Sequence, residues 1–179
     1  MTEAEIRQLI RQETQFRTGL GFDVHEFEEG RRCVLGGVDI PHSHGLSGHS
    51  DADVVVHAAM DAALGAAGLP DIGHFFPNTS EEFRGADSLE LARHVTRELQ
   101  QRGYELVNLD VMVLAEVPKV GPHREAMRAN LAEAFALPLE AVALKATTME
   151  RMGFVGRREG VAVIASALAR RRGGSQGET

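Results

Sequence analysis

SDADVVVHAAMDAALGAAG, residues 50 to 68, reads as a single helix with both ends marked. Ser50 and Asp53 stand at capping-box spacing before an Ala/Val-rich run, which puts the start at about Asp51, with Gly65 and Gly68 at the end. His57 falls in the first two turns, with Asp53 and Asp61 at i−4 and i+4 on its own face. Upstream, Arg17 to Val24 and Cys33 to Ile40 read as two strands, separated by the turn-rich EFEEGRR and followed by the polar loop PHSHGLSGHSDAD. Downstream, Asp87 with Glu90, the ladder Leu91, Val95, Leu99 and the stop at Gly103 predict a second helix. Val107, Leu109, Val111 and Val113 alternate as a strand does. A third helix runs from Pro122 through Met127, Leu131 and Phe135 to Pro138. Val142 to Thr148 and Gly160 to Leu168 read as the last strands. The order β-β-α-α-β-α-β-β predicts an α+β fold, an α/β sandwich with one mixed sheet and helices packed on one face.

The chain has 179 residues, 43% hydrophobic and 25% charged, and its 19 basic against 26 acidic side chains leave a net charge of −7. That is enough for one soluble domain with a core, and average hydrophobicity without charge blocks argues against disorder. Residues 1–15 read as a polar N-terminal extension or linker with the short apolar stripe Ile6, Leu9, Ile10. Residues 16–169 form the domain, and 170–179, including Arg170 to Arg172, read as a flexible basic tail. The acidic balance excludes a nucleic-acid footprint. No stretch approaches the roughly 20 apolar residues of a membrane helix, and the N-terminus resembles neither a secretory signal nor a transit peptide. The single cysteine, Cys33, cannot form an internal disulfide or a cysteine-built zinc site, and on an apolar strand it reads as a small core residue. Together these features predict a cytoplasmic protein.

Six of the eight histidines, His25, His42, His44, His49, His57 and His74, lie between positions 25 and 74. His42 and His44 read as solvent-facing residues of a flexible loop. Asp23 and His25, at i and i+2 on a strand, point to one face, while Phe22 and Val24 point to the other. With His57 they make a two-histidine, one-carboxylate set of the kind that holds a catalytic divalent ion with an open position. Spacing alone leaves the alternative of a surface D-x-H pair and a partly buried helical histidine. Ser50 reads as an N-cap, and a helix N-terminus there is also an anion site to which His49 could donate. DIGHFFPNT (71–79) reads as a loop pinned by buried Phe75 and Phe76. PKVGPH, from Pro118, offers backbone N–H groups and a lysine, and Thr147, Thr148, Glu150 and Arg157 lie beyond a strand end, where ligand contacts gather.

Taken together, GFDVH (21–25), GGVDIP (36–41), GHSDADVVVHA (48–58), DIGHFFP (71–77), GADS (85–88), Pro118-Lys119 and KATTMERMGFVGRREG (145–160) resemble, in the same order, the 2-C-methyl-D-erythritol 2,4-cyclodiphosphate synthase family. The resemblance covers about Arg17 to Leu168. It implies a phosphorus–oxygen lyase of the non-mevalonate isoprenoid pathway, which converts 4-diphosphocytidyl-2-C-methyl-D-erythritol 2-phosphate to the 2,4-cyclodiphosphate and releases CMP. It also implies a homotrimer with active sites between subunits.

Carried over by position, Asp23, His25 and His57 would hold Zn2+, or Mn2+ or Co2+, and Glu150 would hold Mg2+ or Mn2+ with the substrate phosphates. His49 and Thr148 would act in catalysis, His49 helping to stabilise the transition state. Val24, His49 and Ser50, together with Asp71, Ile72, Gly73, Phe76, Pro77, Asn78, Thr79 and Ser80, would form the phosphate and methylerythritol side. Ala115, Pro118, Lys119, Val120, Gly121, Thr147, Thr148 and Met149 would hold the cytidine, and Phe154 and Arg157 would border the pocket and the threefold cavity. Asn78 stands where the family pattern has Asp, removing a charge but keeping an acceptor, and Pro70 replaces a common Gly. Some relatives carry an upstream cytidylyltransferase in the same chain, so fusion to or association with one is a further expectation. Two other readings of the same residues are a metal-dependent phosphoesterase, which would ignore a cytidine, and a metal-stabilised trimer without turnover.

Overall fold

The computed structural model describes residues 1–13 and 15–171. After an N-terminal helix α1 (Glu3–Glu13), the chain forms β1 (Phe16–Glu29), a small hairpin of β2 (Cys33–Leu35) and β3 (Val38–Ile40), and β4 (His44–Leu46). Helices α2 (Val54–Ala67), α3 (Ile72–Phe75) and α4 (Ser88–Gln101) follow, then β5 (Tyr104–Leu114), α5 (Arg124–Ala134), β6 (Val142–Thr147), α6 (Gly153–Gly156) and β7 (Gly160–Arg171). The main sheet has the order β4-β1-β7-β5-β6. Its pairs are antiparallel except β5 with β6, which α5 connects as a crossover.

α2 is the centre of the molecule. Nearly all of it is buried, because it lies between the sheet and α4. An Ala-rich helix can approach a strand this closely only if the strand also lacks side chains there. A Cβ on Gly19 would sit 2.0 Å from the Ala62 carbonyl oxygen, and one on Gly21 would sit 2.0 Å from that of Ala58. Val161, Val163 and Ala165 of β7 and Leu109, Val111 and Val113 of β5 complete the same buried face. Cys33 lies in this core, as its apolar neighbours predict. On the opposite face of the sheet Leu20, Phe22, Val24 and Ile164 stand exposed.

Several boundaries differ from the sequence reading. The helix through His57 begins at Val54, not at about Asp51, and its N-cap is Asp53 rather than Ser50. Ala52 is left-handed at φ 60, which breaks any earlier helical turn, and the Asp53 carboxylate takes the N–H groups of Val55 and Val56. The strand read over 33–40 is a hairpin, folded at Gly36 and Gly37, both at positive φ. β1 continues through EFEE to Glu29, because Phe27 to Glu29 pair with β4. His42 and His44 are half-buried and pack around Phe27, with His44 inside β4, so neither belongs to a flexible solvent-facing loop. Phe75 and Phe76 are half-buried at the end of the short helix α3. The third helix opens as a 3-10 turn at Gly121–His123 and its α-helical part stops at Ala134. Arg170 and Arg171 pair in the sheet with Phe16 and Tyr104, while 172–179 lie outside the described residues. The predicted ends at Gly68, Asp87 and Gly103 hold: Gly68 caps α2 in the left-handed region, Asp87 caps α4, and Gly103 turns at φ 77.

The α2–β1 contact makes a testable demand. Gly21→Ala should lower the free energy of unfolding by at least about 2 kcal/mol, measured by denaturant melts. Gly121→Ala, whose Cβ would meet nothing within 4 Å, should stay within about 0.5 kcal/mol of the parent.

Candidate active site

The approach of α2 to β1 brings His57 against the end of β1 that carries Asp23 and His25. His57 Nδ1 lies 3.2 Å from Asp23 Oδ2 and 3.3 Å from His25 Nε2, and His25 Nε2 lies 3.0 Å from Asp23 Oδ2. Two ligands bound at roughly 2.0–2.1 Å to a tetrahedral ion lie about 3.3 Å apart, so the donor atoms already stand at the spacing such an ion requires. Among the described residues this is the one group of three or more His, Cys, Asp or Glu side chains placed to hold a metal ion.

The hydrogen bonds around the cluster decide its chemistry. His25 Nδ1 donates to the Ser47 carbonyl, which leaves Nε2 for the cluster. Burial raises the Asp23 pKa, but hydrogen bonds and charge from His25 and His57 outweigh it and hold the carboxyl well below the usual carboxylate range. Burial likewise pulls the His25 pKa down, yet Asp23 and the Ser47 carbonyl prevail and leave it above its ordinary value. A cation binding here would replace the proton that now links the imidazole and the carboxylate.

The cluster forms one wall of a cleft of about 370 Å3. His49, Ser50, Ile72, Gly73, Phe76, Pro77 and Asn78 line it, together with Met60, Phe83 and Leu91. His49 Nε2 donates to the Ser80 carbonyl at 2.9 Å. Asp71 caps α3, accepting from His74 N, and Asp71 and Thr79 are exposed. The helix N-terminus by Ser50 is not the open anion site its sequence suggests. The Asp53 carboxylate already occupies the first turn of α2 and also accepts from Gly36 N at 2.9 Å and Gly37 N at 2.6 Å. Burial pushes Asp53 up to about 6, against the lowering pull of those amides. Ser50 Oγ instead accepts from Ala52 N and faces His57. Asp61 accepts from Ile72 N at 2.8 Å and so anchors the cleft's far loop rather than joining the cluster.

A second cleft, of about 260 Å3, lies at the ends of β5 and β6. Ala115, Pro118, Lys119, Val120, Gly121, Thr147 and Thr148 line it, with Arg124 as an unforeseen cation. Thr148 Oγ1 donates to Glu150 Oε1 at 2.7 Å. The turn that carries Glu150 is left-handed at Glu150 and Arg151, and the Glu116 carboxylate holds it by accepting from Met149 N and Arg151 N. Arg157, following α6, pairs with Glu159 at 2.7 Å, and Phe154 is exposed on α6. Val24 stands on the open face of the sheet rather than in either cleft. In the sheet, Val24, Ala162, Leu114 and Thr147 form one row across four strands. Three strand spacings of about 4.8 Å, about 14 Å in all, therefore separate the β1 backbone between Asp23 and His25 from Thr147.

Three convergent donors on an α+β scaffold, set in a cleft with room for a further ligand, define a candidate metalloenzyme domain. The chain belongs to the YgbB family, whose sequence profile matches residues 16–170. It is 55% identical over 152 residues to a 2-C-methyl-D-erythritol 2,4-cyclodiphosphate synthase of Marinobacter nauticus, covering 85% of this chain and 96% of that protein. Its fold matches the bifunctional IspDF of Campylobacter jejuni with a TM-score of 0.84 and 44% identity, over 88% of this chain and 42% of the other, so the chain spans less than half of that protein. The CDP complex of Plasmodium falciparum IspF matches with a TM-score of 0.77 and 28% identity, over 88% of this chain and 97% of that one. Among the described residues no helix is long and apolar enough to cross a membrane.

Because metal ligation needs neutral imidazoles, the raised pKa of His25 sets a pH dependence. Zinc affinity, measured calorimetrically, should fall as the pH drops below that raised value and level off above it. An affinity constant between about pH 5 and 8 would contradict the assignment of His25.

Proposed function

We propose that this chain is a cyclising, CMP-releasing phosphorus–oxygen lyase that makes 2-C-methyl-D-erythritol 2,4-cyclodiphosphate from 4-diphosphocytidyl-2-C-methyl-D-erythritol 2-phosphate in the cytoplasm. The observation that carries this reading is the pairing of two different clefts at one end of the sheet, one walled by a metal-donor cluster and one lined by Pro118-Lys119 and Thr147-Thr148. A phosphoesterase would need only the first. The naming of the Marinobacter relative and the CDP bound by the Plasmodium one support the same choice.

In the reaction an oxygen of the 2-phosphate attacks the β-phosphorus, the bond from that phosphorus to the bridging oxygen breaks, and CMP leaves with the electron pair. The nucleophile is already anionic at neutral pH, so the site needs no general base. What the site must supply is a bent substrate and charge neutralisation, a form of positioning worth roughly 7 to 11 kcal/mol. Divalent ions, Zn2+ (or Mn2+ or Co2+) at Asp23, His25 and His57 and Mg2+ (or Mn2+) at Glu150, would neutralise the phosphates when bound. Ser50 donates to the phosphates from the first cleft, and on substrate binding His49 would exchange the Ser80 carbonyl, and Thr148 the Glu150 carboxylate, for a phosphate oxygen. Asp71, Ile72, Gly73 and the run from Phe76 to Ser80 enclose the methylerythritol. Asn78 accepts a hydroxyl there without the charge of an aspartate. The second cleft, with Met149 at its rim, takes the cytidine, while Phe154 and Arg157 border the assembled pocket.

Within one chain about 14 Å of sheet separates the strand that carries Asp23 and His25 from Thr147, and in this reading each active site forms between subunits of a homotrimer. The exposed apolar row Leu20, Phe22, Val24 and Ile164 supports this, since a sheet face of that kind calls for cover. Fusion to or association with a cytidylyltransferase has its precedent in the Campylobacter bifunctional protein.

Phosphorus NMR of the cytidylyl substrate should show CMP and the cyclic diphosphate with metal present and neither after chelation. Hydrolysis of simple phosphate esters without cyclisation would favour the phosphoesterase. His57→Ala and Thr148→Ala should each be inactive alone but regain part of the activity when co-assembled, because a mixed trimer contains sites with both residues intact. Absence of that rescue would contradict shared sites.

A further inference from the structure

His57 meets the donor cluster with one ring nitrogen only. Nδ1 faces Asp23 and His25, whereas Nε2 points away from the cluster, 3.0 Å from Ser88 Oγ and 3.2 Å from Ser50 Oγ. Ser88 is fully buried at the first residue of α4. Its hydroxyl donates to Asp51 Oδ1 at 2.5 Å, and its backbone N–H donates to Asp51 Oδ2 at 3.1 Å. A serine hydroxyl has one proton, and an ionised carboxylate can only accept. With its proton committed to Asp51, the Ser88 oxygen is an acceptor, and it faces His57 Nε2.

We propose that Asp51 and Ser88 are positioning residues for His57. Through the chain Asp51···H–Oγ Ser88···H–Nε2 His57 they hold a proton on Nε2, so that when a cation displaces the proton Nδ1 shares with Asp23 the Nδ1 lone pair is already aimed at the cation site. Neither residue lines the cleft, so both act through His57. Asp51 is itself held. Its N–H donates to the Ala86 carbonyl, Gly85 N donates to the His49 carbonyl, and Arg31 donates to the carbonyls of Gly48 and Ser50 on either side of His49. Ser50 Oγ already accepts from Ala52 N, and its own proton is not taken by a carboxylate, which leaves it free to donate into the cleft. His25 is oriented differently, by the backbone carbonyl of Ser47, a partner that no substitution removes. The device on His57 is therefore the one that side-chain variants can test.

The inference rests on the metal reading, and the test separates the two. Zinc is titrated into the chelator-stripped full chain, and cobalt(II) is added in parallel to record its visible absorption. Removing such an outer partner of a ligating histidine lowers metal affinity by about 10- to 100-fold. Ser88→Ala is expected to show that loss together with an altered cobalt spectrum. Asp51→Asn, which leaves one acceptor for the Ser88 hydroxyl, the Ser88 N–H and the Asp53 N–H, should also lose affinity, and the double variant should lose no more than Asp51→Asn alone, since Ser88 serves as an acceptor for His57 only through Asp51. Asp87→Ala removes the N-cap of the same helix, so it should lower the melting temperature while leaving zinc affinity unchanged. Zinc affinity in Ser88→Ala within twofold of the parent would overturn the positioning role while leaving the metal site intact. An equal loss in Asp87→Ala would reduce the effect to helix stability and overturn it as well. A parent chain that binds no zinc would overturn both readings.

Discussion

Everything in this protein depends on the near-contact of two backbones. Where α2 crosses β1, Gly19 and Gly21 leave no room for a Cβ, and the Ala58 and Ala62 carbonyls fill that space. The approach buries the Ala/Val-rich α2 between sheet and α4, and in the same motion it lays His57 over Asp23 and His25. Core packing and site assembly are thus one event. The helix is also fixed in its axial position, because Asp53 ties its first turn to the Gly36-Gly37 hairpin through four backbone amides. A slide of one residue would break that clamp and misplace the histidine together.

A chain of net charge −7 is a poor general attractor for a substrate with several phosphates. The site resolves this locally. Asp23 is anionic in order to be a ligand, and Asp53 spends its charge on backbone amides rather than on the cleft. Asp61 is turned to the Ile72 amide. Ser50 and Lys119 bring donors to the clefts, beside His49 and Arg124, which line them while bonded to the Ser80 and Leu144 carbonyls. Acidity of the whole molecule and electropositive character at the phosphates are compatible if a cation stands at the Asp23, His25 and His57 cluster.

Much of this was legible in the sequence. The i, i+2 parity of Asp23 and His25 on a strand and the placement of His57 early in a helix are local facts, and the fold preserves them. The caps at Asp87 and Gly68 are local as well. What was hidden depends on partners distant in the chain. Whether Ser50 or Asp53 caps α2 is decided by the Gly36-Gly37 amides, which only the folded hairpin presents. The same two glycines fold what reads as one strand into two. The parallel pairing of β5 with β6, which creates the second cleft, leaves no mark in either strand's own pattern. Arg31, Glu116 and Ser88 look like ordinary surface or capping residues until their hydrogen-bond partners arrive from elsewhere in the chain.

The most direct measurement is a crystal structure of the zinc-loaded protein, with anomalous difference maps recorded on either side of the zinc edge. The expected result is one ion per chain bound by Asp23 Oδ2, His25 Nε2 and His57 Nδ1 at about 2.0–2.2 Å, with a fourth position open to the cleft. Zinc held through His57 Nε2, or bound elsewhere while these three side chains remain joined only to one another, would contradict the assignment of the site.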